Sequence, residues 1–311
     1  MYQQQKSDEL LNLQQFAYES TLKIIIKFLF PHLSGKDLFD CETSTQNFLK
    51  SYSASFLFIP KWVPGTFSGI SNFDKEKTQL DDKFYYYFLL GIKSGFDSPL
   101  SKLQDAPKSE VLDHIRTFII AGHETSATSL VWALYYIHNS PYIKNRLSEE
   151  LNIFSPSTEP EFLDNILKNE FLDAIISETF RIRPPVPFVT RKVANRSFKL
   201  GDQVLKENEE LGVCVALLHR EASLWSNPDE FKPERFLNHK YSPHEYAPFG
   251  GGIRKCIGAE LASMELKILI GNFLKNYDAT LIEGPGPIAE VLQITIGPKK
   301  PIFLKCSKRV Y

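Results

Sequence analysis

No stretch of this 311-residue sequence is apolar for long enough to span a bilayer. The strongest run near the start, IIIKFLF at residues 24–30, is short and interrupted by Lys27. The opening MYQQQKSDELLNLQQ is polar and lacks the apolar centre of a secretory signal. Charge of one sign is missing as well: 36 Lys and Arg face 37 Asp and Glu, a formal net charge of −1. That balance argues against a nucleic-acid partner, which calls for a basic footprint. Cysteine is scarce and scattered (Cys41, Cys214, Cys256, Cys306), with no Cys-x-x-Cys and no paired framework. A reducing compartment follows, so the expectation is a soluble, cytoplasmic protein. Internal repeats, low-complexity tracts and a clean linker are also lacking, which favours one domain over residues 1–311.

What is present is mostly helical periodicity. Residues 8–30 read as a helix stopped by Pro31 and Gly35, and 43–59 as a second, ending before a turn at Pro60, Pro64 and Gly65. Residues 74–95 read as a long amphipathic helix, and Ser109–His138 as an unusually long one. Helices at 141–153 and 159–182 follow, the last ended by Pro184 and Pro185. Past residue 186 the texture changes. FVTRKV and LGVCVALL are β-branched runs that predict a small sheet, residues 222–237 read as ordered loop, and QITIGPKKPIFLKC reads as a closing hairpin. The fold class is mainly α with a minor β region: helix-rich through residue 185, then β structure and a glycine-rich loop over 186–311.

That loop, FGGGIRKCIG at residues 249–258, holds Cys256 among glycines and next to two cations. Leu261, Met264, Leu266, Ile268, Leu269 and Phe273 behind it share one broad face at helical spacing, so Cys256 precedes a helix start. N–H groups and the dipole at such a start favour an anion, which suits a cysteine acting as soft ligand or as nucleophile. A phosphate-binding loop would need Gly-Lys-Ser/Thr, but Ala259 and Glu260 follow Gly258. A dinucleotide loop would need glycine where Lys255 stands, and a phosphatase-like loop an Arg where Ala262 stands. A structural zinc site would need neighbouring Cys or His. A plain buried cysteine beside a turn leaves Phe249, Arg254 and the three glycines unexplained.

Two other constellations stand out. In AGHETSATSL, residues 121–130, Gly122 costs a helix interior about 1 kcal/mol relative to Ala. Thr125 can turn its hydroxyl back to a carbonyl of the preceding turn, leaving a shallow dent with Glu124 beside it. Taken alone, small residues here more often mark a close helix crossing. In SETFRIRPP, residues 177–185, Glu178 and Arg181 lie one turn apart and can pair, and Arg235 in KPERF can join them. A bare Glu-x-x-Arg is usually a surface pair of little energetic worth; buried, it would demand further partners.

Taken together and in this order, AGHET, Glu-x-x-Arg, PERF and Phe-x-x-Gly-x-Arg-x-Cys-x-Gly resemble the cytochrome P-450 superfamily of haem-thiolate monooxygenases. The HRE of residues 219–221 departs from the family's usual His-Arg-Asp-Pro. The resemblance implies a cytochrome P-450-like fold and haem b with Cys256 as the axial ligand to iron. It implies that Arg254, with Arg191 or His219 assisting, meets a haem propionate, that Phe249 packs near the sulfur, that the Gly250–Gly252 run lets backbone approach the ligand loop closely, and that Gly258 is also a cofactor-binding position. Thr125 and Glu124 would steer protons to dioxygen, and Glu178, Arg181 and Arg235 would form a structural network under the loop. The implied activity inserts one oxygen atom of O2 into an apolar small-molecule substrate. Electrons would come from a ferredoxin, a flavodoxin-like protein or a flavoprotein reductase.

The family's N-terminal region, which supplies strands, lid and a propionate-holding helix, has no counterpart before the helix at residues 8–30. The fold is therefore expected to be N-terminally truncated, with open strand edges at FVTRKV and LGVCVALL and weak haem binding. The alternative function is a non-catalytic remnant that binds haem weakly or serves only in protein interaction. An anchor in a missing N-terminal segment stays compatible with the sequence.

Overall fold

The computed structural model describes residues 9–51, 67–154, 158–194, 196–282, 286–292 and 295–309, with side chains given throughout except for 67–72. The chain divides into two compact units: residues 15–127, and residues 1–14 together with 128–311.

The first unit is helical. Helix α1 (Leu13–Leu29) is followed by α2 (Gly35–Ser51), α3 (Phe67–Ser94), a 3-10 turn at Pro99–Leu103 and the start of α4 (Lys108–Asn139). Its core is a contiguous cluster in which Ile26, Phe30, Phe84, Leu80, Val111 and Ile115 are each at most 1% exposed. These residues recur at helical spacing on their own elements, which is why the pattern was readable. The helix expected over 8–30 instead begins at Leu13. Residues Glu9–Asn12 form strand β1, and the Asn12 carboxamide accepts the N–H of Gln14, marking the helix start. The second helix starts at Gly35, earlier than expected; its expected end at 59 and the turn at Pro60, Pro64 and Gly65 lie outside the described residues.

The second unit carries the remaining elements. Helix α5 (Pro141–Glu150) is capped by Ser140 with proline in its first turn. The segment expected as one helix over 159–182 is two: α6 (Glu159–Lys168) and α7 (Glu170–Ile182). Asn169 breaks it, with an extended backbone and a side-chain oxygen that accepts the Leu172 N–H at 2.7 Å. A Thr158/Glu161 capping box opens α6. Strands β2 (Phe188–Lys192), β3 (Phe198–Leu200), β4 (Gln203–Leu205) and β5 (Glu210–Cys214) follow, then short helices α8 (Val215–Leu218) and α9 (Glu234–Asn238). The long α10 (Ala259–Asn276) leads to β6 (Tyr277–Leu281), β7 (Ala289–Val291), β8 (Ile296–Pro298) and β9 (Phe303–Lys308).

Strands β2 and β5 pair antiparallel, with Phe188 opposite Cys214 and Arg191 opposite Leu211, so the two β-branched runs do form a sheet. Among the described residues this sheet has two strands. The closing hairpin is corrected. β8 pairs with β7, while β9 sits between β1 and β6 in a three-stranded sheet. Pro298 ends β8 and Pro301 lies between it and β9, where the chain passes from one sheet to the other. Helix α10 lies against α6 so closely that a Cβ on Gly271 would fall 2.5 Å from Ile166 Cδ1. Glycine there is a packing requirement. Among the described residues no helix is long and apolar enough to cross a membrane.

Candidate active site: a cysteine loop on a buried ion network

Helix α7 is buried over most of its surface; Glu170 and Asp173 in its first turn stay exposed, but two charged residues further along are buried with it. Glu178 and Arg181 are both 0% exposed. Arg181 grips the Glu178 carboxylate with two parallel bonds, Nε to Oε2 at 2.7 Å and Nη2 to Oε1 at 2.9 Å. Arg235 adds a bond from Nε to Oε1 at 3.0 Å, and the Lys232 backbone N–H adds another at 2.8 Å. The unused guanidinium donors go to carbonyls: Arg181 to those of His219, Pro228 and Glu230, Arg235 to those of Ser226, Asn227 and Glu230. One carboxylate and two guanidiniums thus tie residues 226–235, which carry little regular structure, to a helix. A buried charge needs this density of partners to be tolerated.

An aromatic cluster carries the same order onward. Trp225 stacks on Tyr241 with ring centroids 4.1 Å apart, and Arg181 lies over the Trp225 ring. Tyr246 packs edge or tilted against Trp225, Phe236 and His219. Its hydroxyl donates to the Ser177 carbonyl at 2.9 Å, and burial pushes its phenol far above the usual range. The next residue, Ala247, donates its N–H to His219 Nε2 at 3.0 Å.

From Ala247 the chain enters the cysteine loop. The Ala247 carbonyl accepts the Gly250 N–H, and the Phe249 carbonyl accepts the Cys256 N–H at 2.9 Å. The Phe249 ring meets Phe180 of α7 edge-on at 5.1 Å. Gly250 and Gly252 have φ of 68° and 66°, in the left-handed region where side chains are strained. A Cβ at either would meet nothing within 4 Å. Among the described residues it is conformation that calls for glycine at these two positions. Gly258 is the N-cap of α10 at an ordinary φ of −88°.

The loop is tied down from beneath and open above. Cys256 is exposed, and its flanking apolar residues Ile253 and Ile257 are 102% and 89% exposed. Arg254 ends a 3-10 turn with an exposed side chain that pairs with no described residue. Apolar side chains and an exposed guanidinium thus flank an open thiol on a loop whose backbone is bonded from below. Among the described residues no cluster of three or more His, Cys, Asp or Glu could hold a metal ion; Cys256 is a single exposed thiol at this loop. Haem fits this donor set.

His219 is corrected from its expected place beside a propionate. It is completely buried, its ring engaged by Ala247 and its carbonyl by Arg181, and burial lowers its pKa to about 4. Arg191 stays exposed on β2, its guanidinium bonded locally to the Thr190 carbonyl. The role of His219 carried no sequence signal, because its partner is a backbone N–H.

Thr125 and Glu124 belong to the other unit. The Thr125 hydroxyl donates to the Ala121 carbonyl at 2.6 Å, as the dent in α4 predicts. Glu124 is 5% exposed. Gly122 faces α1: an added Cβ would lie 3.0 Å from Ile25 Cδ1. One residue on, His123 Nδ1 pairs with the Thr21 hydroxyl at 3.0 Å, and burial lowers its pKa to about 4. A close helix crossing at Gly122 and a hydroxyl-to-carbonyl bond at Thr125 therefore coexist at this point of α4.

Residues 72–305 match the family model for Cytochrome P450. The chain is 32% identical over 213 residues to cytochrome P450 3A40 of Oryzias latipes, covering 67% of this chain and 42% of that protein. It is 30% identical over 258 residues to cytochrome P450 3A30 of Fundulus heteroclitus, covering 81% and 52%, and 30% identical over 204 residues to human cytochrome P450 4V2, covering 64% and 39%. The chain thus spans about two fifths to one half of the length of these curated relatives. Its fold resembles a crystal structure of a cytochrome P450 named CYP102L1 with a TM-score of 0.80 at 22% identity, covering 97% of this chain and 73% of that one. A mutant haem domain of cytochrome P450DA gives 0.82 at 19% identity, covering 97% and 69%. Because the family model takes in well over half of the sequence, the chain belongs to the cytochrome P450 family.

Proposed function

We propose that this chain is the haem-binding part of a haem-thiolate monooxygenase that hydroxylates an apolar small molecule. The supporting observation is the platform around Cys256: an exposed sulfur between bare isoleucines, on a loop fixed from below by buried ions and aromatics. Bound haem would supply dioxygen binding and one-electron chemistry, which no side chain here provides. Cys256 would hold the haem iron through its sulfur in this reading. Phe249 shields the sulfur side of the loop, Gly250 and Gly252 set its turn, and Gly258 leads into α10, whose first N–H groups favour a negative sulfur. Arg254 pairs with a propionate, and Arg191 is a second cation for it. Thr125 and Glu124 hold and pass the two protons. The balance is one substrate C–H, O2, two electrons and two protons giving an alcohol and water. Electrons come from a ferredoxin, a flavodoxin-like protein or a flavoprotein reductase, drawn by Lys255, Arg254 and Lys232.

Haem-loaded protein, reduced and treated with carbon monoxide, should show the strongly red-shifted Soret band of thiolate ligation, and Cys256→Ser should abolish it. Absence of that band in the unaltered chain would leave the non-catalytic reading standing. Lys255→Glu should slow reduction by an acidic partner without changing substrate affinity; an unchanged rate removes the electron-docking role.

A further inference from the structure

His219 joins two structures that are otherwise separate in the chain. Its carbonyl accepts Arg181 Nη1 at 2.8 Å, placing it on the ion network. Its ring accepts the Ala247 N–H at 3.0 Å, placing it on the cysteine loop. From Ala247 the Ala247–Gly250 and Phe249–Cys256 backbone hydrogen bonds lead on to Cys256. The ring is fixed: it is 0% exposed, with Tyr246 tilted against it at 5.2 Å and Trp225 edge-on at 6.2 Å. A backbone N–H can only donate, so Nε2 must present a lone pair and the ring proton must sit on Nδ1. Nδ1 is buried and has no partner at full hydrogen-bond geometry, with the backbone of Arg181 and Phe180 within electrostatic reach of the ring. Burying a polar ring is costly without good partners, so ring burial alone does not account for histidine here; an acceptor at Nε2 does.

We propose that His219 is a positioning residue for the ligand loop, a neutral Nδ1–H imidazole through which the Glu178–Arg181–Arg235 network sets where Ala247, and hence Cys256, is held. That the positioned sulfur serves haem rests on the function proposed above; the coupling itself does not. A hydrophobic ring of the same shape would keep the stacking and lose the acceptor, whereas glutamine can place its Oε1 near the Nε2 position.

The test has one arm on the unaltered chain and two on variants. In protein carrying 15N-labelled histidine, the His219 signals should show a bare Nε2 and a protonated Nδ1. A protonated Nε2 would overturn the proposal, whatever any variant does. In His219→Phe, amide exchange across residues 247–256 should quicken about tenfold, the loss of about one hydrogen bond, while exchange in α5 and α6 stays put. His219→Gln should restore slow exchange. Equal exchange in the unaltered and Phe proteins would refute the idea, and so would failure of Gln to rescue. With haem and carbon monoxide, His219→Phe should lose part of the red-shifted band to a blue-shifted one, and His219→Gln should regain it. If the unaltered chain gives no such band while exchange responds as stated, the haem reading fails and the coupling stands.

Discussion

Replacing Glu178 by glutamine keeps the side-chain shape and removes one charge. In the folded protein the carboxylate accepts four bonds between 2.7 and 3.0 Å, three of them from guanidiniums. The amide would keep one oxygen but turn an NH2 toward a guanidinium donor, leaving two buried cations without their counter-charge. Breaking a buried pair in this way costs about 3–5 kcal/mol, a large share of the roughly 5–15 kcal/mol that holds a domain folded. Urea unfolding followed by tryptophan fluorescence is a suitable assay, because Trp225 lies under Arg181 and Trp132 is buried in the same unit. With a slope of about 2 kcal/mol per molar, the midpoint should fall by roughly 1.5–2.5 M. The exposed pair Lys168–Asp164, with side chains 75% and 62% exposed, is the internal control. Asp164→Asn should move the midpoint by less than about 0.5 M. If Glu178→Gln moves it no further than that, the network does not hold the fold.

Three further outcomes follow from geometry already given. His123 and His219 are buried neutral with pKa values lowered to about 4 from 6.5 by burial, so the unfolded chain binds more protons between those values. Their contribution is complete above about pH 6.5 and is lost as pH falls toward 4, by up to about 1.4 kcal/mol per pH unit for each; a urea midpoint unchanged from pH 7 to pH 5 would contradict this. Gly252→Ala should cost about 1–2 kcal/mol through its positive φ alone. Gly251→Ala, at a φ of −152° with open space around it, should be nearly silent, and equal losses in thermal melts would refute the distinction. Gly271→Ala should destabilise by about 1–3 kcal/mol because Ile166 must move, and Ile166→Val in the same chain should recover part of the loss.

The helices of the first unit, the long α4 and the start of α10 were legible because burial imposes a 3.6-residue period on the residues themselves. The ion network was legible too, since Glu178 and Arg181 are one turn apart and Arg235 follows a recognisable irregular stretch. What escaped was set by partners distant in sequence. Residues 9–12 carry apolar residues that suit a helix, yet β9 claims them as a strand. Asn169 reads as an ordinary helix residue until its side chain is seen to cap α7. The bond from Ala247 to His219 joins a backbone N–H to a ring, and no side-chain pattern encodes a backbone donor.

The four cysteines differ in their openness to reagents. Cys41 and Cys306 are buried, and burial pushes their thiols up to about 12 and about 11, so at pH 8 only about one in ten thousand and one in a thousand would be ionised. Cys214 is partly covered, while Cys256 stands open to solvent. A thiol-alkylating reagent at mild pH should therefore mark Cys256 first, and a group bound on its sulfur would block the mark. The extent of alkylation then counts the fraction of molecules whose loop carries nothing, a measure of occupancy that needs neither colour nor turnover.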